Sequence, residues 1–119
     1  MKIRKILGAT LVCVTLMTTV VMAANIKSEE YYGSAFLNVD GRDGVYKANA
    51  STIRNHGTTH SYLKIKKTYY NGEETVLDFG QKRGDSFYES GYEYIENYET
   101  THKTSFDGAD HKFTVKLYY

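Results

Sequence analysis

The dipeptide Asn71-Gly72 stands between two runs that alternate apolar and polar residues, and this arrangement constrains the fold more than any other feature of the chain. Asn-Gly is the strongest short hairpin signal, because a two-residue type I′ turn needs positive φ at both positions. Before it, residues 59–70 alternate, with Leu63 and Ile65 facing away from Lys64 and Lys66. After it, residues 73–79 pair back with Leu77 and Phe79 in register. The same pattern recurs along the chain. Residues 31–39 place Ala35, Leu37 and Val39 on one face, and Asp40-Gly41-Arg42-Asp43-Gly44 supplies turn elements before a strand over 45–53. Asn55-His56-Gly57 turns the chain, a polar loop spans 80–85, and a tyrosine-rich run covers 87–98. Phe106-Asp107-Gly108 leads into a last strand with Phe113, Val115, Leu117 and Tyr119 on one side. No segment has a helical period. The pattern predicts an all-β fold, a small antiparallel β-sandwich of about six strands.

The first residues read differently. Lys2, Arg4 and Lys5 precede an apolar run over 6–22 that closes at Val21-Met22-Ala23-Ala24, the order of a secretory signal peptide cut after Ala23, with Ala24 the second choice. The run falls short of the roughly 20 residues that span a bilayer, so no permanent membrane span is expected. Val12 before Cys13 argues against lipidation. The signal peptide takes 1–23, a short flexible leader 24–30, and a single domain 31–119. Localisation is then secreted and extracellular.

Cys13 is the only cysteine and leaves with the signal. The mature chain therefore has no disulfide, no thiol nucleophile and no thiolate metal site. Its small acidic excess argues against nucleic acid. Small secreted domains usually lean on disulfides. This one relies on a thin core covered largely by its twelve tyrosines, which predicts marginal stability or a homodimer that hides one sheet.

Candidate chemistry is sparse. His56 and His60 straddle a turn and a strand start, which breaks the helical spacing of zinc ligands, and all four histidines read as exposed or turn residues. Neither Ser61 nor Asp110 sits in a nucleophile motif. Glu89, Glu93, Glu96 and Glu99 read as a solvated edge, and Asp40, Asp43 and Asp85 lack calcium-loop spacing. No enzyme, metal or cofactor is expected. Tyr88, Tyr92, Tyr94 and Tyr98 fall at even spacings, as on one strand face. Arg83-Gly84-Asp85 resembles the integrin-binding tripeptide of adhesive proteins, displayed on a loop. Asn49-Ala50-Ser51 is a glycosylation sequon only in a eukaryotic product, whereas the lysine-bearing signal and cysteine-free mature chain suggest a Gram-positive bacterium. The strand before Asn71-Gly72 brings Lys64, Lys66 and Lys67 together with Tyr62, Tyr69 and Tyr70, cations for a pyrophosphate or anionic wall polymer beside apolar contact surface.

His56-Gly57-Thr58-Thr59-His60-Ser61, entering a strand, and the aromatic ending Phe113-Thr114-Val115-Lys116-Leu117-Tyr118-Tyr119 resemble the lactococcin 972 family of bacteriocins. The resemblance implies a cysteine-free secreted β-sandwich that tends to dimerise. Its founding member engages the wall precursor lipid II and blocks septation without forming pores. Family members carry tryptophans where this chain has only tyrosines. The expected function is a secreted, non-enzymatic binding protein acting on the envelope of neighbouring bacteria, with a cell-wall precursor or surface polymer as partner. The alternative is an adhesion or glycan-binding module that meets a surface protein or matrix through the Arg83–Asp85 loop or the tyrosine-rich face.

Overall fold

Turn chemistry divides the chain into strands that pair locally before they stack. The computed structural model describes residues 22–119, with side chains from residue 24, so nearly all of the expected signal peptide lies outside the described residues. Among those described are nine strands and no helix: β1 (Met22–Glu30), β2 (Gly33–Arg42), β3 (Val45–Arg54), β4 (His60–Thr68), β5 (Glu74–Arg83), β6 (Ser86–Glu89), β7 (Glu93–Tyr94), β8 (Asn97–Ser105) and β9 (His111–Tyr118). One antiparallel sheet has the order β1-β2-β3-β6, with β7 also paired to β3; the other has the order β5-β4-β8-β9. The two sheets pack face to face as the expected all-β sandwich.

Three expectations are corrected. Residues 24–30 are not a flexible leader: they form most of β1, paired with β2 from Met22↔Gly41 to Glu30↔Gly33. Ile26 on this strand is buried in the core, which gives the segment its reason to dock. The tyrosine-rich run is not one strand. It divides into β6, β7 and the start of β8 as the chain crosses from the first sheet to the second, so its tyrosines share no common face. The Asn71-Gly72 turn is not type I′ either, because only Gly72 takes positive φ, at 91°. The Gly72 N–H donates to the Tyr69 carbonyl and the Tyr69 N–H to that of Glu73, both at 2.9 Å. This is a three-residue loop, a type I turn followed by a left-handed glycine. The Asn71 carboxamide accepts the Glu73 N–H at 2.9 Å, a local bond that favours the longer loop. The type I′ turn occurs instead at Asp43-Gly44, with φ of 54° and 83°, between the paired Arg42 and Val45.

Alternation then builds the core. Ile26, Ala35, Leu37, Val39, Tyr46, Ala48 and Ala50 face inward from the first sheet, and Leu63, Ile65, Tyr98, Phe113 and Leu117 from the second. Small side chains oppose large ones, as close packing between sheets requires. The sheets approach closely at Gly33, where a Cβ would lie 2.7 Å from Cδ2 of Phe113. Strand β8, absent from the sequence reading, lies between β4 and β9 and buries Thr100, His102 and Thr104.

Candidate functional site

Parity along β4 decides which of the expected binding residues reach solvent together. Leu63, Ile65 and Lys67 point into the sandwich, while Tyr62, Lys64 and Lys66 lie on the outer face of the second sheet. Neighbouring strands extend that surface. Lys103 of β8 is in register with Tyr62 and Lys64 with Thr101, and Lys116 of β9 also stands opposite Thr101. The Lys103 ammonium lies 5.1 Å from the centroid of the Tyr62 ring, a cation–π contact. The Tyr62 hydroxyl donates to Asp78 across the hairpin at 3.0 Å. Burial and this carboxylate both raise the phenol's pKa, so the ring stays neutral and fixed. Arg83 extends the cationic face to the far end of the β4–β5 hairpin, opposite His60.

Part of that charge is balanced within the face. Glu99 lies 3.5 Å from Lys66 and 3.3 Å from Lys116, and Glu74 lies 3.9 Å from Lys66. Such half-exposed pairs are worth at most about 1 kcal/mol each and leave the cations open to other partners. Among the described residues, no ion pair involves Lys64, Lys103 or Arg83.

The remaining candidates fall elsewhere. Lys67 is turned inward, 8% exposed, and its ammonium donates to both carboxylate oxygens of Glu93 at 2.8 and 3.0 Å. Burial by itself would lower its pKa, but the Glu93 carboxylate overcomes this and holds it above the ordinary lysine value. Lys67 is therefore an internal tie between β4 and β7, one residue out of phase with the outer face. Tyr69 packs partly buried against the core, and Tyr70, past the end of β4, leans on Tyr94 with ring centroids 5.1 Å apart. Neither joins Tyr62.

The Arg83-Gly84-Asp85 segment is no open loop. Asp85 Oδ1 accepts from Arg54 Nε at 2.7 Å and from the Arg54 backbone N–H at 2.9 Å. Gly84 is held by its own N–H to the Thr59 carbonyl at 2.9 Å, and its carbonyl by the Ser61 hydroxyl at 2.6 Å. Arg83 is exposed while the carboxylate meant to accompany it is committed to another arginine.

Histidines and acids also depart from the sequence reading. His102 is fully buried rather than exposed or in a turn. Its Nδ1 lies 2.8 Å from the Thr52 hydroxyl, which donates its own proton to the Tyr62 carbonyl at 3.0 Å, so Nδ1 carries the hydrogen. Nε2 then accepts from the Thr100 hydroxyl at 2.7 Å. Burial pushes this imidazole's pKa down to about 4. Glu93 and Glu99, expected as a solvated edge, are the partners of Lys67, Lys66 and Lys116. Among the described residues, no three His, Cys, Asp or Glu side chains gather as a metal site, and no helix is long and apolar enough to cross a membrane.

The outer face thus draws on Lys103 and Lys116, which the sequence reading did not include. Lys116 was visible as the polar side of the last strand. Lys103 lies on β8, whose buried side after Tyr98 is threonine and histidine and gives no apolar alternation to detect. Compared with known proteins, the chain matches no family model, no curated protein and no solved structure.

Proposed function

We propose that this is a secreted, non-enzymatic protein that binds an anionic component of the envelope of neighbouring bacteria, in the manner of the lactococcin 972 family it resembles. One observation carries the reading: Tyr62, Lys64, Lys66, Lys103 and Lys116 share one solvent-facing sheet surface, with Arg83 at its end. A flat β surface of this kind offers several cations at fixed spacing to a phosphate-bearing polymer or lipid-linked pyrophosphate. Tyr62 supplies apolar contact at little entropic cost. The adhesion alternative has less support, because Asp85 is bound to Arg54 and the tyrosines of 87–98 do not share a face.

The test is growth inhibition across a panel of Gram-positive bacteria, with microscopy of septa. Inhibition that added lipid II relieves is the expected outcome. A Lys64→Glu/Lys103→Glu variant should lose about tenfold in potency, with the deficit shrinking at high salt, since exposed charges act mainly on encounter and are screened. No inhibition at micromolar protein, or full potency of the variant, overturns the proposal.

A further inference from the structure

The outer face of the other sheet has a different chemistry, and its register is the informative part. Asn25, Asn38 and Asn49 stand directly opposite one another across β1, β2 and β3, and Glu89 of β6 continues the row opposite Asn49. All four are solvent-exposed. Two residues along each strand runs a second row, in which Phe36 and Phe87 flank Ser51. Phe87 is 67% exposed, in a strand where its ring covers no core. Between the two rows lies a shallow groove of about 360 Å³, lined chiefly by Phe36, Asn38, Asn49, Ser51, Phe87 and Glu89.

We propose that this groove is a second binding site, for a neutral linear glycan lying across the strands. Each carboxamide offers one acceptor and two donor hydrogens, the complement of a pair of neighbouring sugar hydroxyls. Strands about 4.8 Å apart set those amides at a regular pitch along the row. The electron-rich faces of the phenyl rings on either side of Ser51 suit the C–H faces of sugar rings. Charge selects the ligand class. Across these rows and the flanking one on either side, Lys27 and Lys47 stand among Asp40, Glu89 and Glu29, so the surface carries no cationic excess and complements a neutral hydroxyl-bearing chain rather than the anionic partner of the opposite face. The site is thus independent of the lysine-bearing surface.

Calorimetric titration of the purified protein with cellohexaose and chitohexaose tests the assignment, with sedimentation run alongside. Binding of either hexasaccharide is expected, insensitive to salt and weakened at least tenfold by Phe87→Ala and by Asn49→Ala. Both substitutions lie at exposed positions, and an unchanged β-sheet spectrum confirms that each variant folds. The Lys64→Glu/Lys103→Glu variant should bind these sugars as the parent does, which separates failure here from failure of the proposed function. Absence of binding to both sugars overturns the assignment. So does affinity that survives both substitutions, or a dimer that Phe87→Ala dissociates, which would make a second copy the occupant.

Discussion

His102 shows how a single residue can be structural by being kept neutral. Its two ring nitrogens meet the Thr52 and Thr100 hydroxyls, and burial away from water penalises the charged form. With a folded pKa of about 4 against an ordinary 6.5, the unfolded chain binds the proton first as the pH falls. Stability is therefore full above pH 6.5, declines between 6.5 and about 4, and levels off lower once both states are protonated. The loss across that window is about 3 kcal/mol from this side chain. Urea unfolding at a series of pH values should show it, and His102→Gln should flatten that slope; an unchanged slope in the variant would assign the effect to other groups. Lys67 makes the complementary case. Glu93→Gln strands a buried ammonium and should cost about 2–3 kcal/mol, whereas Lys67→Met, which removes the charge and keeps the length, should cost less than 1 kcal/mol. Chemical denaturation of the two variants checks the ordering. Nothing in the sequence around Lys64, Lys66 and Lys67 separates the third lysine from the others except strand parity, and parity assigned Lys67 to the wall of the core.

At the level of strands, legibility followed apolar alternation. Strands β2, β4, β5 and β9 could be read because Ala35-Leu37-Val39, Leu63-Ile65, Leu77-Phe79 and Phe113-Val115-Leu117 alternate with polar residues, and β3 because turn residues bound it on both sides. Strand β8 could not, since beyond Tyr98 what it buries is Thr100, His102 and Thr104, hydroxyls and an imidazole whose hydrogen bonds exist only after the fold forms. Strand β1 was hidden for a different reason: over 24–30 Ile26 is the one large apolar residue, and the pattern resembles a linker. The candidate surface inherited these gaps, which is why Lys103 and the Asn25–Asn38–Asn49 row emerge only from the pairing. Close contact between the sheets can be tested at Gly33. Its φ carries no penalty for alanine, so Gly33→Ala acts by steric conflict with Phe113 and should cost about 1–3 kcal/mol. The same substitution made in a Phe113→Leu background should cost less, and equal costs in both backgrounds would place the conflict elsewhere.

Across the whole molecule, the two sheets turn unlike surfaces to solvent. The β5-β4-β8-β9 sheet presents lysines with Tyr62, and the β1-β2-β3-β6 sheet presents amides and phenyl rings of balanced charge. The sandwich lies between them, so occupation of one surface leaves the other accessible, and the two proposed sites, taken together, call for simultaneous binding of both ligands. A neutral glycan and an anionic polymer mixed with the protein should form a ternary complex by sedimentation; mutual exclusion would mean that the surfaces compete. Strand β1 adds a condition in time. The cut that the sequence predicts after Ala23 falls inside that strand, between residues paired with Asp40 and Val39. A peptidase acts on chain that is extended and accessible. On that expectation, a cut at this position has to precede docking of the edge strand, because pairing with β2 would cover the site.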